Sequence, residues 1–216
     1  SQDPSNVIIA VDRDPIPYKG GKCTIHHQRV DLTSEADIAD LATHLGASGT
    51  QDRPATPVDL LIHSAGIRGL VPELERKYPD DVAACETLAV MNKSTLMRTF
   101  EINTAGTLLL VQALLPCLQR AQDPKVVVMA SRMGSISYNS TGSAYAYRAS
   151  KAALNAIMKS FSIDVPEVTF LLMHPGRVET GLVKCREEGA IEAVESISDM
   201  LGVIVSIDKT WSGRFV

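Results

Sequence analysis

The sequence predicts an α/β fold in three layers: a doubly wound parallel sheet with helices on both faces. Three observations carry this. Short apolar runs alternate with segments of helical period, the pattern that builds parallel sheets. Several of the runs are continuous rather than alternating, as in strands buried on both faces. Small or glycine-rich polar segments follow three of the runs, and open α/β sheets bind ligands beyond the carboxyl ends of their strands.

Taken in order, "NVIIAV" (6–11) and "CTIHHQRV" (23–30) are the first two strands. "TSEADIADLATHL" (33–45) is a helix with Thr33 or Ser34 as its N-cap. "VDLLIH" (58–63) is the third strand, and a long helix is expected over 94–121. "KVVVMA" (125–130) is the fourth strand, followed by a helix from about 143 to 165. "VTFLLMH" (168–174) is the fifth strand, a helix is expected over 187–203, and "GRFV" (213–216) ends the chain as a strand. Loops fall at 12–21 and 46–57, both rich in Gly, Pro and charge. No repeat interrupts the pattern, so 1–216 is read as a single domain.

Composition narrows the function. The chain's 216 residues suffice for a core without disulfides or metals. A net charge of −4, with no Lys/Arg run, argues against nucleic-acid or membrane-surface partners. No uninterrupted apolar run of about 18 residues occurs, so no membrane span is expected. The four cysteines lack any C-x-x-C spacing, which suits reduced thiols and a cytoplasmic protein. His26 and His27, being adjacent, would face opposite sides of a strand, so no metal site is expected.

Chemistry gathers after the strands. "HSAG" (63–66) closes the third, "SRMGS" (131–135) follows the fourth and "HPGRVET" (174–180) follows the fifth. Each alone is an ordinary tight turn; three at one sheet edge make a site. In "SAYAYRASKAALNAIMKS" (143–160), Tyr147 and Lys151 stand four apart, on one face of a helix. A phenol needs about 4 kcal/mol to exchange its proton at neutral pH. A lysine ammonium about 4 Å away supplies about that at an effective dielectric near 20. Ser131 is placed to hold the oxygen on which charge changes.

The segment "SRMGSISYNSTGSAYAYRASKAALN" resembles the active-site stretch of the short-chain dehydrogenase/reductase family, most of all its C-factor and sniffer carbonyl reductase branch. "LLIHSAG", "FEINTAGTLLL", "HPGRVET" and "VDLT" extend the likeness over about residues 6–183. The resemblance implies a Rossmann-like fold and a catalytic set of Asn103, Ser131, Tyr147 and Lys151. In it, Tyr147 donates or accepts the proton and Lys151 lowers its pKa and binds the nicotinamide ribose. Ser131 polarises the carbonyl, and Asn103 holds a relay water. It further implies NADP(H) or NAD(H) as cofactor. The expected contacts are Asp12, Arg13, Asp31, Leu32, His63, Ser64, Ala65, Gly66, Pro175, Gly176, Val178 and Thr180, with Tyr147 and Lys151. A homodimer or homotetramer, paired through 94–121 and 144–165, is implied too.

Two departures stand out. The family's first strand, with its T-G-x-x-x-G-x-G turn for pyrophosphate, has no counterpart in this sequence. That strand would be central, between 6–11 and 58–63. With a first residue other than Met, this leads to the expectation of an N-terminally incomplete domain, a naturally shortened member being the alternative. Cofactor choice also stays open, because Asp12 suits the ribose diol of NAD whereas Arg13 suits a 2′-phosphate. The expected function is hydride transfer between NAD(P)(H) and a small carbonyl or alcohol. The alternative is a non-catalytic regulator or binding protein on a reductase scaffold.

Overall fold

The computed structural model describes residues 3–16, 22–47 and 55–216. Positions 17–21 and 48–54 of the two expected loops lie outside the described residues. The chain runs β1 (Val7–Asp12), β2 (Thr24–Arg29), α1 (Glu35–His44), β3 (Leu60–His63), α2 (Pro72–Lys77) and α3 (Lys93–Phe100). A π-helical turn at Glu101–Ala105 leads into α4 (Gly106–Leu118), then β4 (Lys125–Met129), α5 (Tyr145–Asp164), β5 (Thr169–Met173), α6 (Ala193–Ser206) and β6 (Arg214–Phe215).

The three layers can be read along the central strands. Val126 and Val128 of β4, with Phe170 and Leu172 of β5, pack against α1, α4 and α5. The alternate residues Val127, Leu171 and Met173 face Ile204 and Ile207 at the end of α6. Successive side chains of a strand point to opposite faces, so one pair of strands feeds both cores. Phe161 of α5 stacks on Phe170 with centroids 5.5 Å apart. Local chemistry starts the helices: the Ser34 hydroxyl accepts from Asp37 N at the start of α1, and Asn92 accepts from Thr95 N at the start of α3.

Among the described residues the strands form two parallel sheets. β1 pairs with β2, and β3-β4-β5-β6 form the other, with Leu60 opposite Lys125 and Val126 opposite Phe170. Among the described residues β1 and β3 do not pair with each other. This corrects one expectation. The continuous runs in β1 and β3 are not buried on both faces: Val7 is 65% exposed, Leu60 40% and Ile62 46%. Only β4 and β5 have the full burial of central parallel strands.

The expected helix at 187–203 forms six residues later, at Ala193–Ser206. Gly189 takes φ +74, and Ile191 is held in a parallel bridge to Val178, so the chain is extended there. α2 was not anticipated. The segment Lys93–Leu118 is 26 helical residues whose most apolar window has mean hydropathy 1.3. By length and composition it could cross a membrane, although the sequence has no unbroken apolar run. Half of that window is buried, and Val111, Leu114 and Leu118 lie in the core, as in the core helix of a globular domain.

Candidate active site

The site forms where β3, β4 and β5 end. The turn after β4 begins at Ser131, whose hydroxyl accepts from Met133 N at 3.2 Å. Gly134 lets this turn lie directly on α5: a Cβ there would stand 2.8 Å from Lys151 C and 2.9 Å from its carbonyl oxygen. Any side chain would push the serine turn off the helix.

α5 is entered through an unusual backbone. Gly142, Ser143 and Ala144 all have positive φ, a conformation that costs non-glycine residues energy and persists only where surroundings enforce it. Here the enforcing group is the Glu86 carbonyl, which accepts from Ala144 N and from the Ser143 hydroxyl, both at 3.0 Å. One turn later Tyr147 and Lys151 are buried together. The Ser131 side chain bears on the Tyr147 phenol and favours its ionised form. The Lys151 ammonium donates to the Met129 carbonyl at 2.8 Å and lies 5.7 Å from the Tyr147 ring centroid.

Asn103 lies in the π-helical turn, a feature common at functional sites. Its amide oxygen accepts from Ile67 N and its amide nitrogen donates to Ile67 O, both at 2.8 Å. The same nitrogen donates to Ser150 Oγ at 3.0 Å, and that hydroxyl donates to Tyr147 O at 2.8 Å. Asn103 therefore ties the segment after β3 to the turn of α5 between Tyr147 and Lys151.

Electrostatics adjust a second expectation. Burial raises the Tyr147 phenol above its ordinary range; the Arg68 charge and the Ser131 side chain oppose this, while Glu187 and Glu86 add to it. Burial also pulls Lys151 down to about 8. The cation that bears on the phenol here is Arg68. Its guanidinium lies 5.1 Å from the Tyr147 ring centroid and is held by Glu86 at 2.8 and 2.9 Å. Sequence reasoning missed both residues, because nothing at a separation of 18 positions signals the contact.

The expected dinucleotide contacts fall as follows. Ser64 and Ala65 are exposed after β3, and Gly66 could not carry a Cβ without approaching Asn103 Oδ1 at 3.1 Å. His63 is buried with Nε2 unpartnered among described groups. Burial, and then the Lys151 charge, holds it down at about 4, a neutral ring. After β5, Pro175, Gly176 (φ +88), Val178 and Thr180 follow in line, with the Pro175 carbonyl fixed by Ser196 Oγ at 2.6 Å. Asp31 and Leu32 follow β2, and the Asp31 carboxylate accepts from Thr33 N and Oγ1. Asp12 accepts from Asp14 N, and Arg13 pairs with Asp14 at 3.2 Å in solvent. Tyr145 is 40% exposed at the first turn of α5. The nicotinamide end fits a dinucleotide, with a bare glycine backbone at 66, an orphaned buried imidazole and a left-handed glycine at 176. A glycine-rich turn for the pyrophosphate is absent from the sequence.

A doubly wound α/β scaffold with a buried Ser-Tyr-Lys cluster at its carboxyl edge defines a class of nucleotide-dependent enzymes. The short chain dehydrogenase model matches residues 7–190, and the chain belongs to that oxidoreductase family. It is 38% identical over 161 residues to the C-signal of Myxococcus xanthus, covering 74% of this chain and 87% of that protein. It is 32% identical over 190 residues to 1-hydroxy-2-glutathionyl-2-methyl-3-butene dehydrogenase of Rhodococcus sp. (strain AD45), covering 86% and 74%. Its fold is similar to the NADPH-bound carbonyl reductase from chicken fatty liver, with TM-score 0.76 and 26% identity, covering 96% and 83%. It is also similar to the carbonyl reductase Sniffer of D. melanogaster, with TM-score 0.73 and 27% identity, covering 89% and 75%.

Proposed function

We propose that this protein transfers a hydride between a nicotinamide dinucleotide and a small carbonyl or alcohol, with Tyr147 as proton donor in reduction and acceptor in oxidation. The observation that carries the reading is the shared burial of Ser131, Tyr147 and Lys151, with the Lys151 ammonium 5.7 Å from the Tyr147 ring centroid. The relatives named above are the C-signal, a dehydrogenase and two carbonyl reductases. A bound dinucleotide would supply the hydride; Tyr147, Lys151, Gly66 and the Pro175–Thr180 segment would hold its nicotinamide end.

The chain's own residues do the rest. Ser131 orients the substrate oxygen, so the charge that grows there meets a donor already in place. Tyr147 gives that oxygen its proton, and Lys151 offsets the phenolate left behind. Asn103 keeps the segment after β3 and the catalytic turn of α5 in register. NADP(H) is favoured by the NADPH bound to the chicken reductase; Asp12, at the end of β1, favours NAD(H). Residues 1–216 are read as one dinucleotide-binding domain. A second reading, a reductase scaffold that does not turn over, is favoured by the likeness to the C-signal of Myxococcus xanthus, whose name is not that of an enzyme. Met97 and Phe100 of α3 and Ile163 of α5 are exposed and suit a self-association face, although most of α4 is core.

The test is a fluorescence titration with NADPH and NADH, followed by a screen of simple carbonyls for loss of nicotinamide absorbance. Binding with turnover is expected; binding with no turnover on any carbonyl would favour the scaffold reading. Asp12→Ala should raise kcat/KM for NADPH relative to NADH.

A further inference from the structure

We propose that Arg68, clamped by Glu86, is a positioning residue for Tyr147, and that this pair rather than Lys151 alone sets the charge environment of the phenol. The proposal rests on the reading of Tyr147 as the proton carrier and adds to it a device that the catalytic motif does not contain.

The geometry is specific. The Arg68 side chain is 12% exposed and that of Glu86 7%. Nε donates to Glu86 Oε2 at 2.8 Å and Nη2 to Oε1 at 2.9 Å, the two-pronged arrangement that fixes a guanidinium plane. Nη1 reaches Met133 Sδ at 3.3 Å, in the turn whose Met133 N–H is held by Ser131. The guanidinium carbon stands 5.1 Å from the Tyr147 centroid, within cation–π range. The backbone behind it is locked, since Gly69 has φ +77 and a Cβ there would lie 2.6 Å from Thr99 Oγ1.

Glu86 acts twice. Its carboxylate aims Arg68, and its carbonyl holds the left-handed entrance, Ser143 and Ala144, of the helix that carries Tyr147. A single residue thus fixes both the phenol's backbone and the cation beside its ring. Stability alone does not explain such a pair, because well-packed apolar residues often replace a buried ion pair without loss. A cation beside a buried phenol does have a purpose: it favours the ionised form that burial opposes. The other groups facing the phenol are Ser131 after β4, Lys151 on its own helix and Glu187 from the segment before α6, which bears on both Arg68 and Tyr147.

The test is a tyrosinate absorbance titration, with the Tyr147→Phe titration subtracted to isolate the buried phenol. It uses neither cofactor nor carbonyl substrate, so it can succeed or fail separately from the proposed activity. Arg68→Gln should move the Tyr147 midpoint up by about one pH unit. Glu86→Gln, which leaves the guanidinium uncompensated, should move it down. Arg68→Lys, which keeps the charge without the fork, should return it towards the wild-type value. If Glu86→Gln does not fold, the contrast between Arg68→Gln and Arg68→Lys decides. The alkaline limb of kcat/KM should follow the same order. Coincident midpoints in folded Arg68→Gln, Arg68→Lys and wild-type protein, or shifts of one sign in Arg68→Gln and Glu86→Gln, would overturn the proposal.

Discussion

His63 stands where β3 ends, a buried imidazole. Its folded pKa of about 4 lies below the ordinary 6.5, so the unfolded chain binds more protons between those values. Stability is therefore complete above pH 6.5 and is lost as pH falls through 4, by about 3 kcal/mol in all. His63→Asn should flatten this acid limb, as read from denaturant midpoints across that window; an unchanged limb would place the acid sensitivity elsewhere, His174 being the other ring held low by burial. At this scale the sequence was informative about motif residues. Ser131, Tyr147 and Lys151 are close in the chain or fixed by helical spacing, and they meet as expected. Arg68 and Glu86 were invisible, because their contact is made by tertiary packing between two irregular segments.

The elements owe their placement to a few close approaches. Gly134 lets the serine turn touch α5, so Gly134→Ala should cost about 1–3 kcal/mol and lower kcat at least tenfold by parting Ser131 from Tyr147. Denaturant midpoint and kcat together check this; a fall in stability with kcat intact would separate packing from catalysis. Strong apolar periodicity made α5 and the long α3–α4 helix legible. The start of α6 was misplaced because its apolar pattern continues into an extended bridge. α2 was overlooked, yet its chemistry is local: Pro72 in the first turn, Glu73 and Glu75 near the start, Arg76 and Lys77 near the end. Six residues are too few for periodicity to register. The π-helical turn at Asn103 has no composition signal at all.

For the whole molecule, the divided sheet is the main structural fact. Among the described residues β1 pairs only with β2 and β3 only with β4, and the exposed Val7, Leu60 and Ile62 lie on β1 and β3.

The central claim is that the Tyr147 hydroxyl carries the proton in a carbonyl reduction. Single-turnover loss of nicotinamide absorbance, in wild type and in Tyr147→Phe at matched dinucleotide occupancy, tests it most directly. Tyr147→Phe is expected to bind dinucleotide normally and to lose at least a thousandfold in rate, in keeping with the removal of a general acid. A variant that turns over within a few-fold of wild type would contradict it.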